Sequence, residues 1–571
     1  MSFWVKVIYD SKMDKHEIPD IVVVGSGAGG MTAALTGSLL GLKVRILEKS
    51  GVIGGTTALS AGSVWIPNSI HSKPGADNKH RAKSYLRNTV GNRLKPELCD
   101  AFLENGPAMV KFLADTPMIF RAYPTHPDYL ADSEGATLFG RALEPVPFDG
   151  TCLGNDFRML RNPLPEFTIF GGMMVNREDI SNLLSSRRNP FSLLRSLKLL
   201  GRYGLDRLRF HRGTRLVMGN ALVGRLYLAL KNQDLTVETD MHVIGITKED
   251  QSVSGVTVKN KDTTLHVPAK LGVILASGGF SRHPELRKLL LPTPIPTFTP
   301  IPTAITGDGI TLGLDAGGSL GNGHAENSFW TPVSIRKRDD GSTAVFPHFV
   351  LDRGKPGLIA VNKNGNRFVS EATDYHSFGK AMYTNKGNGA IPCYFICDKD
   401  FIRKYGLGMV YPGASNLSKA LADGYVVKEK TVSGLAQKLN IDSDNLLQEI
   451  NAHNKYAETG NDKGFNKGGN NYERNLGDPS HGPNPCIGCI KTPPFYSIEV
   501  YPGDIGASVG LVTDANARVV AANNEPIPGL FACGNDMDSV MAGVYPGPGI
   551  TIGPAMTFGY IAAKYISENR A

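Results

Sequence analysis

The sequence predicts an α/β protein in which a Rossmann-like nucleotide-binding domain is interrupted by an inserted α+β domain. Three observations support this: a glycine-rich strand-turn-helix begins at Asp20, a buried strand ending in glycines follows at 272–279, and another such strand occurs at 529–535. Strands that end in glycine-rich turns are typical of nucleotide-binding sheets. The predicted domains are residues 20–303 (nucleotide-binding domain, first part), 304–490 (inserted domain) and 491–571 (nucleotide-binding domain, second part).

The first strand-turn-helix carries the G-x-G-x-x-G pattern at Gly25, Gly27 and Gly30. These glycines permit a tight turn, close approach of the backbone to a pyrophosphate, and close packing of helix on strand. The following helix directs its positive end at the phosphates. A second strand, 43–47, ends in Glu48, whose carboxylate can accept a hydrogen bond from an adenosine ribose. Together these features predict a dinucleotide site, whereas a lone glycine-rich turn often only joins a strand to a helix.

A second loop of small residues, 49–63, follows Glu48 directly. Small residues let backbone amides and hydroxyls approach a flat or charged ligand, as an extended FAD requires. FAD is therefore the predicted cofactor. The predicted cofactor-binding residues are Gly25, Ser26, Gly27, Ala28, Gly29, Gly30, Glu48, Lys49, Ser50, Gly55, Thr56, Thr57, Ser60, Ala61, Gly62, Ser63, Val243, Ala276, Gly278, Gly534, Asn535 and Ile552.

Composition excludes several classes of protein. The chain has 571 residues, 41% of them hydrophobic, and no apolar run approaches the roughly 18 residues of a membrane helix. The N-terminus lacks the apolar core of a signal peptide, so a cytoplasmic location is expected. Seven cysteines, an odd number, predict no disulfide framework. The single pair Cys486 and Cys489 has no partner pair, so we predict no metal site.

The basic excess of the chain is concentrated in residues 187–215, which hold nine Arg or Lys residues and one acidic residue, Asp206. Leucines alternate with these charges. A basic amphipathic segment of this kind can lie on an anionic membrane surface, giving a peripheral contact. The alternative is a solvated helix whose leucines pack on the protein itself. No stretch of the sequence indicates nucleic-acid binding.

Proline and glycine mark the second half of the chain. Five prolines in 291–303 predict a hinge, and the Gly/Asn/Pro-rich segment 459–487 is expected to be irregular. Residues 510–514 are predicted to be a short strand. The stretch 545–549, with two prolines and two glycines, precedes an apolar helix at 551–566. It is therefore expected to deliver free amides at a helix N-terminus, where negative charge is stabilised.

Several motifs resemble the fumarate reductase-like flavoproteins: G-S-G-A-G-G, E-K-S, G-G-T-T-A-L-S-A-G-S-V-W-I-P-N, T-G-D-G-I-T-L-G-L-D-A-G-G and N-G-N-R-F-V-S-E. The tail, Phe531 to Tyr560, resembles specifically the 3-ketosteroid 1-dehydrogenases. The resemblance implies a discontinuous FAD domain with an inserted catalytic domain, and 1,2-desaturation of a 3-oxosteroid with electrons passed to a quinone or other acceptor. The loop 56–63 contains no His, the residue that attaches the flavin in related succinate-oxidising enzymes, so non-covalent FAD is expected.

The resemblance also assigns candidate catalytic residues. Tyr545 and Gly549 match the pair that holds the substrate ketone oxygen, Tyr375 matches the tyrosine that abstracts the proton, and Tyr129 matches its assistant. A phenol and a backbone amide make a two-donor site for an enolate oxygen. A tyrosine can act as a base where a hydrogen bond or positive charge stabilises its phenolate.

Two stretches differ from the usual family pattern: Asp536-Met537-Asp538 follows the Gly-Asn pair, and residues 151–215 are long and poorly matched. The alternatives are a desaturase of smaller, cyclohexanone-type ketones, an enoate or fumarate-type reductase, and a flavin-bearing membrane-surface protein without catalysis. Fumarate reduction requires Arg/His clamps for two carboxylates, whereas the tail offers a tyrosine and glycines, which favours a ketone.

Overall fold

The computed structural model describes residues 8–9, 18–73, 75, 77–186 and 189–570. The helices are α1 (Ala28–Leu39), α2 (Lys79–Val90), α3 (Pro96–Leu113), α4 (Arg177–Ser185), α5 (Pro190–Asp206), α6 (Met218–Lys231), α7 (Pro284–Leu290), α8 (Asp308–Asp315), α9 (Tyr375–Thr384), α10 (Lys399–Tyr405), α11 (Leu417–Ala422), α12 (Val432–Leu439), α13 (Ser443–Thr459), α14 (Asn471–Leu476) and α15 (Ile552–Glu568).

The strands are β1 (Ile8–Tyr9), β2 (Ile21–Val24), β3 (Val44–Leu47), β4 (Val64–Trp65), β5 (Phe120–Ala122), β6 (Ala142–Pro145), β7 (Phe148–Asp149), β8 (Thr168–Ile169), β9 (Met173–Met174), β10 (Arg215–Leu216), β11 (Val237–Glu238), β12 (His242–Glu249), β13 (Ser252–Asn260), β14 (Thr263–Pro268), β15 (Gly272–Leu275), β16 (Ser328–Lys337), β17 (Thr343–Pro347), β18 (Leu358–Val361), β19 (Cys393–Asp398), β20 (Val427–Glu429), β21 (Phe495–Ala507), β22 (Arg518–Val520) and β23 (Pro526–Ala532).

The first sheet has the strand order β11-β3-β2-β15-β23-β22 and is parallel except for β22. Strand β2 is entirely buried, as its unbroken β-branched run predicts. The C-terminal strand β23 pairs with β15, so the chain returns to its first sheet after a long excursion. The discontinuous α/β fold predicted from the sequence is therefore confirmed.

Helices α1 and α15, from opposite ends of the chain, pack closely together on this sheet. A Cβ atom at Gly559 of α15 would lie 2.5 Å from the carbonyl oxygen of Gly29 in α1, so only glycine allows this approach. This contact joins the glycine-rich turn to the start of α15, the two segments predicted to hold the cofactor.

The second sheet has the order β17-β16-β21-β19-β18, with β20 also paired to β21. The long strand β21 lies between β16 and β19. The predicted end of the inserted domain, residue 490, therefore lies before β21, the last strand of this sheet along the chain. The predicted start at 304 precedes helix α8, whose Asp308 forms a 2.8 Å ion pair with Lys49 of the first domain.

Two local predictions are wrong. Residues 510–514 form no strand, because Leu511 and Thr513 make only isolated bridges, to Leu320, Met537 and Val519. The segment 459–487 is not wholly irregular, since it contains helix α14, which Asn470 caps by accepting a hydrogen bond from the amide of Glu473. Residues 1–7 and 10–17 lie outside the described residues.

Helix α5 turns a polar face toward the protein and an apolar face toward solvent, which is the reverse of an ordinary surface helix. Its small residues Ser192 and Ser196 are buried, whereas Leu194, Leu197 and Leu205 are 67%, 55% and 70% exposed. These three leucines therefore do not pack on the protein itself, whereas Leu199 and Leu200 are partly buried. Arg187 and Arg188, at the start of the predicted basic segment, lie outside the described residues. In the described part of the chain, no helix combines the length and apolar character needed to span a bilayer.

Candidate active site

The three tyrosines predicted to be catalytic lie together between the two domains. The ring of Tyr129 stacks on that of Tyr545 with centroids 5.6 Å apart and an interplanar angle of 12°. The ring of Tyr375 meets both edge-on, at 5.5 Å from Tyr129 and 5.0 Å from Tyr545. The hydroxyl oxygens of Tyr129 and Tyr375 are 3.4 Å apart. Residues separated by up to 416 positions in the sequence (129 to 545) are thus brought into one buried cluster.

Gly549 lies at the start of helix α15 in a conformation that requires glycine. Its φ is +92°, and a Cβ atom would lie 2.3 Å from the carbonyl oxygen of Ser63. Its carbonyl accepts a hydrogen bond from the amide of Gly553, but its own N–H donates to no described residue. The amide of Ile552 is equally unoccupied. The helix start therefore presents free donors next to the tyrosine cluster, as the Pro/Gly-rich loop predicted.

A buried ion-pair network fixes Tyr129. The neighbouring carboxylate of Asp128 accepts from Trp65 Nε1 at 2.8 Å and pairs with Arg141 at 2.8 Å, and Arg141 also binds Asp77. The backbone amide of Tyr129 donates to the carbonyl of Pro546 at 2.8 Å. This hydrogen bond holds the backbone of Tyr129 directly against the loop 545–549, which leads to the free amides.

Tyr375 begins helix α9, which Asp374 caps by accepting from the Ser377 amide at 2.8 Å. The next residue, His376, accepts from the Trp330 amide at Nδ1 and donates from Nε2 to the carbonyl of Gly543 at 3.1 Å. Burial lowers the pKa of His376 to about 3, so this ring is neutral and structural. It ties the second domain to the segment that carries Tyr545.

Burial keeps the phenols of the cluster neutral in the resting protein. It raises the pKa of Tyr545 to about 12, with hydrogen bonds from Tyr375 and Thr551 opposing the rise. The pKa values of Tyr129 and Tyr375 are raised further, again chiefly by burial. A neutral Tyr545 hydroxyl is suited to donate to a ketone. A neutral Tyr375 must pass on its own proton before it can accept another.

The glycine-rich turn adopts the predicted conformation. Gly25 has a φ of +111°, and a Cβ there would lie 2.3 Å from the carbonyl oxygen of Ala276. The carboxylate of Glu48 accepts from the Ser26 hydroxyl at 2.6 Å through Oε2 and from Ser50 through Oε1. The turn and the acidic residue that follows the second strand are therefore in direct contact, which is the juxtaposition an adenosine ribose site needs.

The loop 49–63 is held by its own side chains. The hydroxyl of Thr57 accepts from the Ala28 amide at 3.1 Å, so it occupies one donor at the start of α1. Ser60 donates to the Thr57 carbonyl at 2.7 Å. Lys49 turns away from the glycine turn toward Thr306 and Asp308. Thr57, Ser60 and Lys49, like Ser26, Glu48 and Ser50, are thus predicted cofactor contacts that have protein partners in this structure.

Exposure differs among the remaining predicted cofactor residues. Ala61 is exposed, Ser60, Ala276 and Asn535 are partly exposed, and Val243 is buried in β12. The other partly exposed members of the set are Gly27, Thr56, Gly278, Gly534 and Ile552. Partly exposed glycines and unoccupied amides fit an extended dinucleotide.

The acidic residues that depart from the family pattern have structural partners. Asp536 accepts hydrogen bonds from the amides of Ser277 and Gly279. Asp538 pairs with Lys95 at 2.9 Å and with His324 at 2.8 Å. Sequence reasoning did not assign these contacts, because they join loops distant along the chain.

Asp536 makes stability depend on pH. Burial raises its pKa to about 6 from 3.8, so between these values only the unfolded chain loses the proton. The free energy of unfolding should therefore fall by about 3 kcal/mol as pH rises through this interval. We expect Asp536→Asn to remove this part of the pH dependence in denaturant titrations with FAD present. Asp234→Asn, which changes an exposed carboxylate, should retain it; equal profiles for wild type and Asp536→Asn would contradict the assignment.

The cysteine pair does not form a reactive dithiol. The Cys486 thiol is buried and donates to the Glu473 carbonyl, and burial raises the pKa of this thiol to about 12. All seven cysteines are free. Among the described residues, no group of three or more His, Cys, Asp or Glu side chains could hold a metal ion.

Comparison with known proteins agrees with this geometry. Residues 20–552 match the family described as FAD binding domain. The 3-oxosteroid 1-dehydrogenase of Mycolicibacterium smegmatis is 36% identical over 97% of this chain and 98% of its own. The 4-oxocyclohex-2-ene-1-carboxylate 5-dehydrogenase of Sinomonas cyclohexanicum is 34% identical over 98% and 95%. The crystal structure of 3-ketosteroid delta1-dehydrogenase from Sterolibacterium denitrificans, in complex with 1,4-androstadiene-3,17-dione, superposes with a TM-score of 0.90 at 35% identity, covering 97% of this chain and 100% of that one.

The FAD binding domain match over residues 20–552 and the superposition described above define an FAD-dependent oxidoreductase. Within that class, the chain belongs to the flavoprotein family that contains the 3-oxosteroid 1-dehydrogenases.

Proposed function

We propose that this protein catalyses the FAD-dependent 1,2-desaturation of 3-ketosteroids. The observation that carries the proposal is the buried cluster of Tyr129, Tyr375 and Tyr545 beside the unoccupied amide of Gly549. These groups supply the two functions that the reaction needs, an acid site for the ketone oxygen and a base for the adjacent carbon.

Tyr545 and Gly549 would bind the ketone oxygen. The phenol, whose pKa stays near 12 through burial, donates one hydrogen bond, and the Gly549 amide donates the second. Both donors are fixed before the substrate arrives, so little reorganisation is needed when negative charge develops on this oxygen. The α-proton then becomes acidic enough to be removed by a weak base.

Tyr375 would take that proton. Its hydroxyl oxygen accepts a hydrogen bond from the Tyr129 hydroxyl at 3.4 Å, so Tyr129 would stabilise the Tyr375 phenolate that acts as the base. Bound FAD supplies the acceptor for the hydride that leaves the neighbouring carbon. The residues suited to hold it are the glycine turn with Glu48, the loop 49–63 and the amides at the start of α15.

The activity is tested with purified protein, androst-4-ene-3,17-dione and a dye acceptor. Dye bleaching together with a 1,4-diene-3-one product supports the proposal. Turnover of only cyclohexanone-type ketones would replace it with the smaller-ketone alternative, and flavin oxidation by fumarate or an enoate would replace it with a reductase. Bound flavin without any turnover would overturn an enzymatic role.

We further propose that α5 lies on an anionic membrane surface and that the acceptor is a quinone dissolved in that membrane. The supporting observation is the orientation of α5, whose leucines face solvent while its serines face the protein. Exposed Arg195 and Lys198 flank the apolar stripe, the arrangement typical of interfacial helices. Arg195 also pairs with the exposed Glu178 at 3.2 Å, and Arg202 pairs with Asp149 at 2.8 Å and holds the helix on the protein.

Neutralising Arg195 and Lys198 together as glutamines should weaken binding to phosphatidylglycerol-containing vesicles roughly 30-fold, since each basic residue near an anionic surface contributes about 1 kcal/mol. Flotation of the protein with vesicles measures this. A control with Lys428→Gln and Lys455→Gln, exposed lysines outside α5, should bind as wild type does. Equal binding of all three proteins would contradict the membrane contact.

The apolar stripe is tested separately, with Leu194→Ser and Leu197→Ser combined. This variant should lose vesicle binding while the dye-coupled activity is retained. Leu289→Ser, at a leucine of α7 that is 73% exposed, is the matched control. Vesicle binding that survives loss of both α5 leucines would show that the stripe does not insert.

A further inference from the structure

A fourth tyrosine, Tyr472, belongs to the cluster although no sequence signal marked it. Its ring centroid is 4.6 Å from that of Tyr129, the shortest separation between any two rings of this group. The residue is 1% exposed, and its hydroxyl makes no hydrogen bond of ordinary geometry within the described residues. A buried hydroxyl without a partner costs about 1–3 kcal/mol, so its retention calls for a reason.

The helix that carries Tyr472 is held firmly on both sides. The Glu473 carboxylate accepts from the Ser370 hydroxyl at 3.0 Å and the Gly468 amide at 2.6 Å. At the other end, Lys355 donates to the carbonyls of Leu476 and Gly477 at 2.7 and 2.8 Å. These contacts hold the six-residue helix α14 in place. The hydroxyl of Tyr472 nevertheless has no hydrogen bond of ordinary geometry among the described residues.

A buried cation stands next to this phenol. The Arg353 side chain is fully buried and donates to backbone carbonyls, among them those of Glu371 and Thr373 in the segment that leads into Tyr375. The guanidinium also interacts with the Tyr472 hydroxyl. No carboxylate forms an ion pair with it among the described residues. The backbone carbonyls satisfy the hydrogen-bond donors of the guanidinium, but they do not neutralise its positive charge. That charge therefore stabilises an anion that forms nearby.

We propose that Tyr472 is a positioning residue that couples the Arg353 charge to the Tyr129–Tyr375 pair and so favours ionisation of the base. The inference rests on the proposed function, because it concerns the same proton transfer. When negative charge passes to the pair, the Tyr472 hydroxyl can turn toward the Tyr129 ring that it packs against, while the nearby Arg353 guanidinium stabilises the charge. Tyr472 thus links the buried cation to the pair.

The charged groups that face Tyr472 come from three segments. Burial raises the pKa of Tyr472, the Arg353 guanidinium opposes this, and the carboxylates of Asp374 and its own neighbour Glu473 add to the rise. Asp374 is committed to the cap of α9 and Glu473 to Ser370 and Gly468. Arg353 is therefore the group in this set that favours a phenolate.

The test uses the holoprotein with Tyr472→Phe, which removes only the unpaired hydroxyl. Flavin reduction by androst-4-ene-3,17-dione is followed by stopped flow across pH. The rise in rate with pH should move up by about one unit, giving roughly tenfold slower reduction at neutral pH and near-wild-type rates at alkaline pH. Tyr394→Phe, in β19, is the control and should leave the profile in place.

Two further readouts separate positioning from a merely structural effect. Ultraviolet difference titration should show the onset of tyrosinate formation at higher pH in Tyr472→Phe. The double variant Tyr129→Phe/Tyr472→Phe should be no slower than Tyr129→Phe alone, because one residue acts through the other. An unchanged pH profile in Tyr472→Phe, or additive losses in the double variant, would overturn the inference. Absence of flavin reduction in the wild type would instead overturn the proposed function.

Discussion

Tyr545→Phe is expected to lower the rate of steroid desaturation by about 100- to 1,000-fold while FAD remains bound. The substitution keeps the ring that stacks on Tyr129 and removes only the hydroxyl. The Gly549 amide would then hold the developing enolate oxygen alone, and loss of one of two such donors has an effect of about this size. Single-turnover flavin reduction measures the loss, and the flavin absorbance of the purified variant reports retention of the cofactor.

The loss should appear in the rate constant of flavin reduction rather than in substrate affinity, since the donor acts mainly on charge formed in the transition state. Tyr560→Phe, in the same C-terminal helix that follows the site, is the matched control and should reduce at the wild-type rate. Near-wild-type reduction by Tyr545→Phe would remove this phenol from the ketone site.

Tyr375→Phe should abolish exchange of the substrate α-hydrogen with solvent deuterium and slow turnover by about 100- to 10,000-fold, the usual contribution of a general base. Two neighbouring groups are not placed to replace it directly, because Tyr129 contacts the site through the Tyr375 hydroxyl at 3.4 Å and the His376 ring has both nitrogens occupied. Mass spectrometry of recovered substrate measures the exchange.

Tyr383→Phe provides the control for this substitution, since Tyr383 lies in the same helix, α9, and its hydroxyl donates to the Pro294 carbonyl rather than into the cluster. It should exchange and turn over as wild type does. Persistent exchange in Tyr375→Phe would assign proton removal to a different base. Loss of exchange in both variants would indicate damage to α9 rather than loss of a catalytic hydroxyl.

Local sequence was sufficient to predict the nucleotide-binding half of the fold. The unbroken run Ile21–Val24 and the glycines after it have few conformational solutions, since only glycine tolerates the φ of +111° at Gly25. The return of the chain to the first sheet was also predictable, because β23 has the same apolar character and glycine ending as β15. These signals are contained within a few adjacent residues.

Long-range pairing decided the features that were predicted wrongly or not at all. Strand β21 joins the second sheet because it pairs with β16 on one side and with β19 on the other. The residues of β21 alone do not indicate these pairing partners. Helix α5 has a pattern compatible with either a packed or an exposed apolar face, and only the position of its serines against the protein resolved this. Helix α14 is stabilised by contacts outside its own six residues.

The sequence by itself determined the dinucleotide turn, the acidic residue that follows the second strand and the free amides at the start of the last helix, because each depends on backbone geometry within one short segment. The resemblance to a known family proposed Tyr129, Tyr375 and Tyr545. Only the tertiary structure decided that their rings form one buried cluster, that Tyr472 joins it and that Arg353 lies near it without an ion-pairing carboxylate among the described residues. Distances between side chains from different domains follow from how two sheets pack, and no local pattern records that packing.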